Sequence, residues 1–319
     1  MTVEHIGIQL TEACNATCGH CGTSSSPAVR HRFGKEFLSY VLAEVATLGR
    51  IEVGFTGGEP LMEPDLLFHG IAETRRLGLT YGVTTNGFWG KAPKRRGEVL
   101  RAIKDCKSLG FSLDRFHADF INETAVLETV READAEGIPV AVRYTLAANE
   151  CEAEVAGRLL RAVPASVPIH FGPLMPVGRR KTLDAALFPL ETSEIPCGAA
   201  SVPTITASGA VYACCGESLY LGDSPLMLGR LPEDRLTVIT ERRARSLDVM
   251  ALRTLGPVRL AREVDGGRGN FPAHFARTQC GSCQILFGTQ QAINRSSTVL
   301  EDLRSKIVAT AALFYGELL

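Results

Sequence analysis

A chain of 319 residues, 45% hydrophobic and 22% charged, has room for one large domain or for a barrel with a smaller appendage. Its net charge of −1 excludes a broad electrostatic footprint for nucleic acid. No apolar stretch approaches the roughly 18 residues that span a bilayer, and MTVEHIGIQL has no basic segment ahead of an apolar run, which excludes a signal peptide. A cytoplasmic protein is expected, with neither nucleic acid nor membrane as partner.

In the first half, β-branched or apolar runs alternate with amphipathic segments. Strands are expected at 7–10, 51–56, 79–86, 111–114, 138–146 and 167–174. Helices are expected at 34–47, 65–78, 94–107, 122–136 and 152–163. Strands joined by helical crossovers form a parallel sheet. Six are too few for a closed eight-stranded barrel, so the expected fold is α/β, a partial (β/α)6 TIM-like barrel over residues 1–182. Its chemistry belongs at the C-terminal ends of the strands. Cys14–Cys21, Thr56–Pro60, Thr85–Asn86 and Ser112–Asp114 all follow a strand and would gather at one mouth. His170, at the end of the sixth strand, is expected to be packed in the barrel.

Past residue 182 the alternation stops. TITASGAVYACC reads as a hairpin turning at Ser208-Gly209. A loop-rich region with GDSP and EVDGGRGNFP follows, then CGSC at 280–283. Residues 183–288 make a small Cys-rich domain. Residues 289–319 form a terminal helix, expected to pack as core, with a dimer contact as the alternative.

The chain has ten cysteines, and in a cytosolic protein these point to metal or redox chemistry rather than disulfides. Cys106 and Cys151 stand alone in helix-like segments and read as buried small hydrophobes. Cys14, Cys18 and Cys21 form C-x3-C-x2-C. A [4Fe–4S] cube normally takes four thiolates, so three leave one iron open to a substrate or cofactor. Zinc would need a fourth ligand, and His20 is awkwardly placed beside Cys21.

C-x3-C-x2-C after the first strand of a (β/α)6 pattern resembles the signature of radical S-adenosylmethionine (SAM) enzymes. TGGEP at 56–60 follows the second strand, where that family carries its Gly-Gly-Glu-Pro loop. The resemblance implies a [4Fe–4S] cluster on Cys14, Cys18 and Cys21, with SAM on the open iron. It implies a SAM site at Gly57, Gly58, Glu59 and Pro60. The glycines would let the backbone approach the ligand, and Glu59 would accept from the SAM amino group. Thr85 and Asn86 in TTNG, Ser112 and Asp114 in FSLD, Arg143 on strand five and the PVGR stretch with Gly178 and Arg179 occupy positions that contact SAM in relatives. Their bland readings are a turn, a cap and a solvated charge. The implied chemistry is one-electron cleavage of SAM to a 5′-deoxyadenosyl radical that abstracts hydrogen from an unactivated carbon. An external one-electron reductant such as flavodoxin or ferredoxin is implied as partner.

Cys197, Cys214, Cys215, Cys280 and Cys283 resemble the SPASM/twitch extension of the same enzymes. This implies an auxiliary [4Fe–4S] cluster, for which a structural zinc is the rival. Neighbours on a strand face opposite ways, so either Cys214 or Cys215 joins the ligand set and the other faces away. CGHCGTSSSP and SLDRFHADF resemble parts of the EpeE-type radical SAM peptide epimerases. That resemblance makes Cys214 the ligand, with Cys197, Cys280 and Cys283, and makes Cys215 the hydrogen donor. The first expectation is therefore conversion of L- to D-residues in a ribosomally synthesised precursor peptide. A crosslinking maturase or a dehydrogenase of a small molecule is the second, and a non-enzymatic iron–sulfur scaffold or redox sensor the third. The TGGEP loop argues against the third. The first strand begins by about residue 6, so no winged-helix-like leader-binding domain is expected ahead of it, which keeps a small-molecule substrate open.

Overall fold

The structure, a computed structural model, describes residues 3–189, 194–265 and 273–315. Six strands follow one another in parallel: β1 His5–Gln9, β2 Glu52–Thr56, β3 Thr80–Thr85, β4 Ser108–Ser112, β5 Val140–Leu146 and β6 Ile169–Pro173. Five helices cover them: α1 Lys35–Ala46, α2 Pro64–Arg76, α3 Pro93–Ala102, α4 Glu123–Ala135 and α5 Glu152–Ala162. The expected partial barrel is present, and its sheet continues beyond it. β7 Thr204–Thr206 adds to β1 in parallel, with Gly7 opposite Thr204 and Gln9 opposite Thr206. β8 Ala210–Tyr212 and β9 Met227–Arg230 then follow antiparallel. The hairpin turns at Gly209, whose φ of +80° suits glycine.

The two faces of the sheet differ because side chains alternate along each strand. Ile6, Ile8, Val53, Phe55, Tyr81, Val83, Phe111 and Val142 are buried in the main hydrophobic core. The inner face carries small and polar residues instead. Gly7, Gly54 and Gly82 lie in one register row, and Ser112, Arg143 and His170 in another. Arg143 and His170 are exposed. For His170 this corrects the packed position expected from the sequence: β6 is the edge strand of the sheet, so His170 is covered on one side only.

Other differences are local. β4 begins at Ser108 rather than at 111. Ser108-Leu109-Gly110 has little strand propensity, but a side chain at Gly110 would crowd the Arg143 Nε, 2.9 Å from a Cβ there, so the glycine fits a close cross-strand approach. α3 ends at Ala102, five residues early, and Lys107 N–H is already donating to Tyr81 at 2.7 Å. Cys106 is buried, as expected, but Cys151 is exposed at the N-terminus of α5. The stretch after the hairpin is not predominantly loop: it holds α6 Leu236–Arg245, α7 Leu247–Thr254 and α8 Pro257–Asp265. GDSP is irregular, whereas most of EVDGGRGNFP lies outside the described residues. After α9 Ala273–Ala276, CGSC opens α10 Gln279–Phe287, so Cys280 and Cys283 share one helix face. The Thr278 hydroxyl caps this helix by accepting from Gly281 N–H at 3.2 Å. α11 Gln290–Tyr315 buries Leu300, Ile307 and Ala311 in the common core, as expected of the terminal helix, of which 316–319 lie outside the described residues.

Candidate active site

The loop after β1 brings three free thiols together. Cys14 and Cys18 are buried and Cys21 half-buried. Burial, with Glu59 and Cys21 nearby, pushes the Cys14 thiol up to about 11. Burial and the two neighbouring thiols push Cys18 up to about 12. Such thiols stay protonated at neutral pH unless a metal takes them as thiolates, so the donor set fits a metal centre. His20 does not complete it. Its Nε2 lies 3.0 Å from Asp114 Oδ2, which argues against a Cys3His zinc site.

Asp114 has two histidine partners. His117 Nδ1 lies 2.9 Å from its Oδ1, and the His20 ring stacks on Phe116 with centroids 4.7 Å apart. Burial alone would raise the Asp114 carboxyl, but the hydrogen bonds from His117 and His20 outweigh it and hold the group well below the usual range. In this structure Asp114 therefore fastens the cysteine loop to the end of β4. Ser112, half-buried, stands opposite Arg143 in the sheet.

The TGGEP loop packs on the same cysteine loop. Gly58 N–H donates to Thr11 at 2.6 Å and Glu59 N–H to Ala13 at 2.9 Å. A Cβ at Gly57 or Gly58 would collide with the Thr11 or Ala13 carbonyl. In the structure the close approach these glycines permit is to the cysteine loop. Pro60 is buried at the start of a short 3-10 turn, Pro60–Met62. Glu59 is fully buried and accepts from Leu61 N–H at 3.0 Å, Thr85 Oγ1 at 2.8 Å and Asn86 N–H at 2.7 Å. A carboxylate has about four acceptor sites, so three are committed within the protein. Thr85 also accepts from Trp89 Nε1 at 3.0 Å, and Asn86 Nδ2 donates to Asn15 at 2.8 Å. Glu59, Thr85, Asn86 and the Cys14 loop are one network at the mouth.

Burial is the main reason the Glu59 carboxyl is pushed up, to about 7. An acid whose folded value lies above its unfolded value favours the fold below the unfolded value, and the advantage fades as pH rises through the folded one. The metal-free protein should therefore lose stability between about pH 4.5 and about pH 7 as Glu59 ionises. Urea melts across that range would read it, and Glu59→Gln should flatten the slope.

A second thiol group lies at the hairpin and α10. A Cβ at Gly216 would stand 3.3 Å from Cys280 Sγ and 3.7 Å from Cys214 Sγ. Burial raises Cys283 and Cys280 far above a free thiol, and each also feels the charges of Cys197 and Cys214. Cys214 and Cys280 therefore lie side by side, with Cys197 and Cys283 within electrostatic reach. β8 ends at Tyr212, so Cys214 and Cys215 lie in the bend after it and strand alternation does not set their directions, a correction to the expectation. Cys215 is exposed. Burial and the neighbouring Cys214 push it up to about 11, and the Arg143 cation pulls the other way. The thiol beside the four therefore sits within electrostatic reach of the inner face of β5.

For Arg179, in the turn after β6, the sequence offers a SAM contact or a solvated charge; its guanidinium instead donates to the carbonyls of Cys18 at 2.8 Å, Ser24 at 3.0 Å and Ser25 at 2.6 Å. Nothing in local sequence marks a basic run that tertiary packing turns inward. The likelihood of a ring at position 117 meeting Asp114 is readable only as helical or turn spacing, Asp at i and His at i+3.

Residues 8–159 match the Radical SAM superfamily. The chain is 25% identical over 229 residues to the Bacillus subtilis protein YydG, which is named for peptide biosynthesis. That alignment covers 67% of this chain and 70% of YydG. It is 29% identical over 145 residues to the PqqA peptide cyclase of Streptomyces rochei, covering 44% of this chain but only 39% of the cyclase. Among solved structures, anSMEcpe with bound AdoMet and Cp18Cys peptide superposes with a TM-score of 0.56 at 11% identity, over 96% of this chain and 98% of that one. At that identity the likeness is one of fold. No helix among the described residues is long and apolar enough to cross a membrane.

Proposed function

We propose, from the match of residues 8–159 to the Radical SAM superfamily, that the chain is a peptide epimerase, converting L- to D-residues in a ribosomally synthesised precursor. Cys14, Cys18 and Cys21 hold the SAM-binding [4Fe–4S] cluster. Cys197, Cys214, Cys280 and Cys283 hold an auxiliary one, in a twitch- or SPASM-like domain spanning about 183–288. With SAM bound and one electron from flavodoxin or ferredoxin, the first site supplies a radical that removes a hydrogen atom from a substrate carbon.

The remaining steps fall to the chain's own residues. The mouth network of Glu59, Thr85 and Asn86 holds the loop that carries Cys14, and its committed hydrogen bonds make it a rigid seat. The Glu59 acceptor site left open and the backbone of Gly57, Gly58 and Pro60 form the side of the mouth where SAM would lie. Ser112, Asp114 and Arg143 form the opposite wall. The substrate Cα radical is flanked by two amides. Cys215 delivers a hydrogen atom to its opposite face, which inverts the centre. One electron from the external reductant and a solvent proton restore the thiol.

The carrying observation is an exposed thiol, Cys215, next in the chain to Cys214, whose sulfur lies beside Gly216 together with that of Cys280. A thiol pushed up to about 11 keeps its S–H at neutral pH, which a hydrogen-atom donor requires. The relation to YydG supports a peptide substrate. The relation to a PqqA peptide cyclase favours a second reading, a crosslinking maturase. Incubating reconstituted protein, SAM and reductant with a candidate precursor peptide separates them. Unchanged mass with D-residues in the hydrolysate is expected, whereas loss of two hydrogens with all centres still L would sink epimerisation.

A further inference from the structure

Arg180 lies on the first cysteine loop, in a turn that also touches the second cysteine group. It belongs to the 3-10 turn Gly178–Thr182 after β6, and this turn is packed on the first cysteine loop. Arg179 N–H donates to the Cys21 carbonyl at 3.1 Å, and a Cβ at Gly178 would stand 2.5 Å from the Gly22 carbonyl oxygen. Arg180 Nε donates to the His20 carbonyl. Its guanidinium lies against Gly22, where a Cβ would be 3.6 Å from both Cζ and Nη2.

One residue later the same turn reaches the other group. Lys181 Nζ donates to Glu217 Oε1 at 2.7 Å and to Gln284 Oε1 at 3.1 Å, and Gln284 follows Cys283. Tyr220 closes the bridge, donating from its hydroxyl to the Gly22 carbonyl at 2.8 Å. Lys181 is thus neutralised locally by a buried carboxylate, and Arg179 is directed at three carbonyls. Among the described residues no carboxylate is hydrogen-bonded to Arg180. Burial disfavours its charge, while Cys280, Asp114, Cys21 and Tyr220 favour it.

We propose that Arg180 is a counter-ion shared by the two cysteine-bound clusters, a positioning residue that sets both reduction potentials together. The inference rests on the two-cluster reading above. A cluster gains a negative charge on reduction, so a fixed cation close by favours the reduced form. Inside a protein this attraction falls off more slowly than in water, so one guanidinium can act on thiolates at both of its ends.

The test uses the full chain reconstituted with iron and sulfide. Iron is counted, and both paramagnetic signals are followed through a redox titration in wild type, Arg180→Gln and Arg180→Lys. Cys18→Ala and Cys283→Ala assign each signal to its site. Arg180→Gln should load both sites and move both midpoints to lower potential, and Arg180→Lys should return both most of the way. A shift at one site alone, or at neither, overturns the proposal. If Arg180→Gln fails to load, loss from both sites with full loading of Arg180→Lys upholds it, and loss from one site overturns it. A wild-type protein with about four iron atoms and one signal would remove the auxiliary cluster itself, and this inference with it. That failure shows in the wild type before any variant is made.

Discussion

Cys215→Ala should abolish D-residue formation while SAM is still cleaved to 5′-deoxyadenosine. The expected loss of epimerised product is on the order of 10³-fold or more, as for deletion of an essential reacting group. The variant should fold and load iron normally. Cys215 is solvent-accessible, so removing its sulfur opens no sealed cavity, and Cys197, Cys214, Cys280 and Cys283 are untouched. A substrate radical formed without its donor would be quenched unproductively or return to the L-form. The companion Cys214→Ala should behave differently, losing auxiliary iron before any effect on product is read. Retained epimerisation in Cys215→Ala, measured by chiral analysis of the hydrolysed peptide, would assign the donor to another group.

Cys18→Ala should eliminate SAM cleavage altogether and lower iron from about eight to about four atoms per chain. Cys18 is 6% exposed and lies between the other two thiols in the loop. Its removal leaves two thiolates where three are needed, and its neighbours cannot replace it: Asn86 Oδ1 accepts from Phe88 N–H, and Arg179 is a cation that donates to the Cys18 carbonyl. The auxiliary group, on the hairpin and α10, should retain its iron and its optical absorption. Iron analysis and chromatographic detection of 5′-deoxyadenosine check both halves. Continued SAM cleavage by this variant would contradict the assignment of the first site.

Much of this architecture was legible because it is periodic. The β/α alternation located all six parallel strands, and the motif positions after β1 and β2 brought Cys14 and Glu59 to one mouth. What the sequence concealed depends on contacts between distant segments. Ser108-Leu109-Gly110 lacks the signature of a strand, yet the side chain of Arg143 uses the space that Gly110 leaves. Gly57 and Gly58 read as a ligand cradle, and a carbonyl of the cysteine loop occupies the place of each absent Cβ. Asp114 read as a cofactor contact, and the structure gives it His20 and His117 as partners. The helices α6 to α8 went unread because turn residues such as Gly222 and Pro232 dominate the text before them. GRRK shows most clearly what local reading cannot supply: Arg179 reaches carbonyls about 155 residues earlier in the chain, at Ser24 and Ser25.

Epimerisation by a solvent-exchangeable thiol is tested most directly by a reaction in D2O with a precursor peptide, SAM and reductant, followed by residue-by-residue mass and chirality. Each inverted Cα should carry one deuterium, each unchanged L-residue none, and 5′-deoxyadenosine should carry only the protium taken from the peptide. A peptide lighter by two hydrogens, with no deuterium and no D-residue, would contradict the account and identify a crosslinking or oxidising maturase instead.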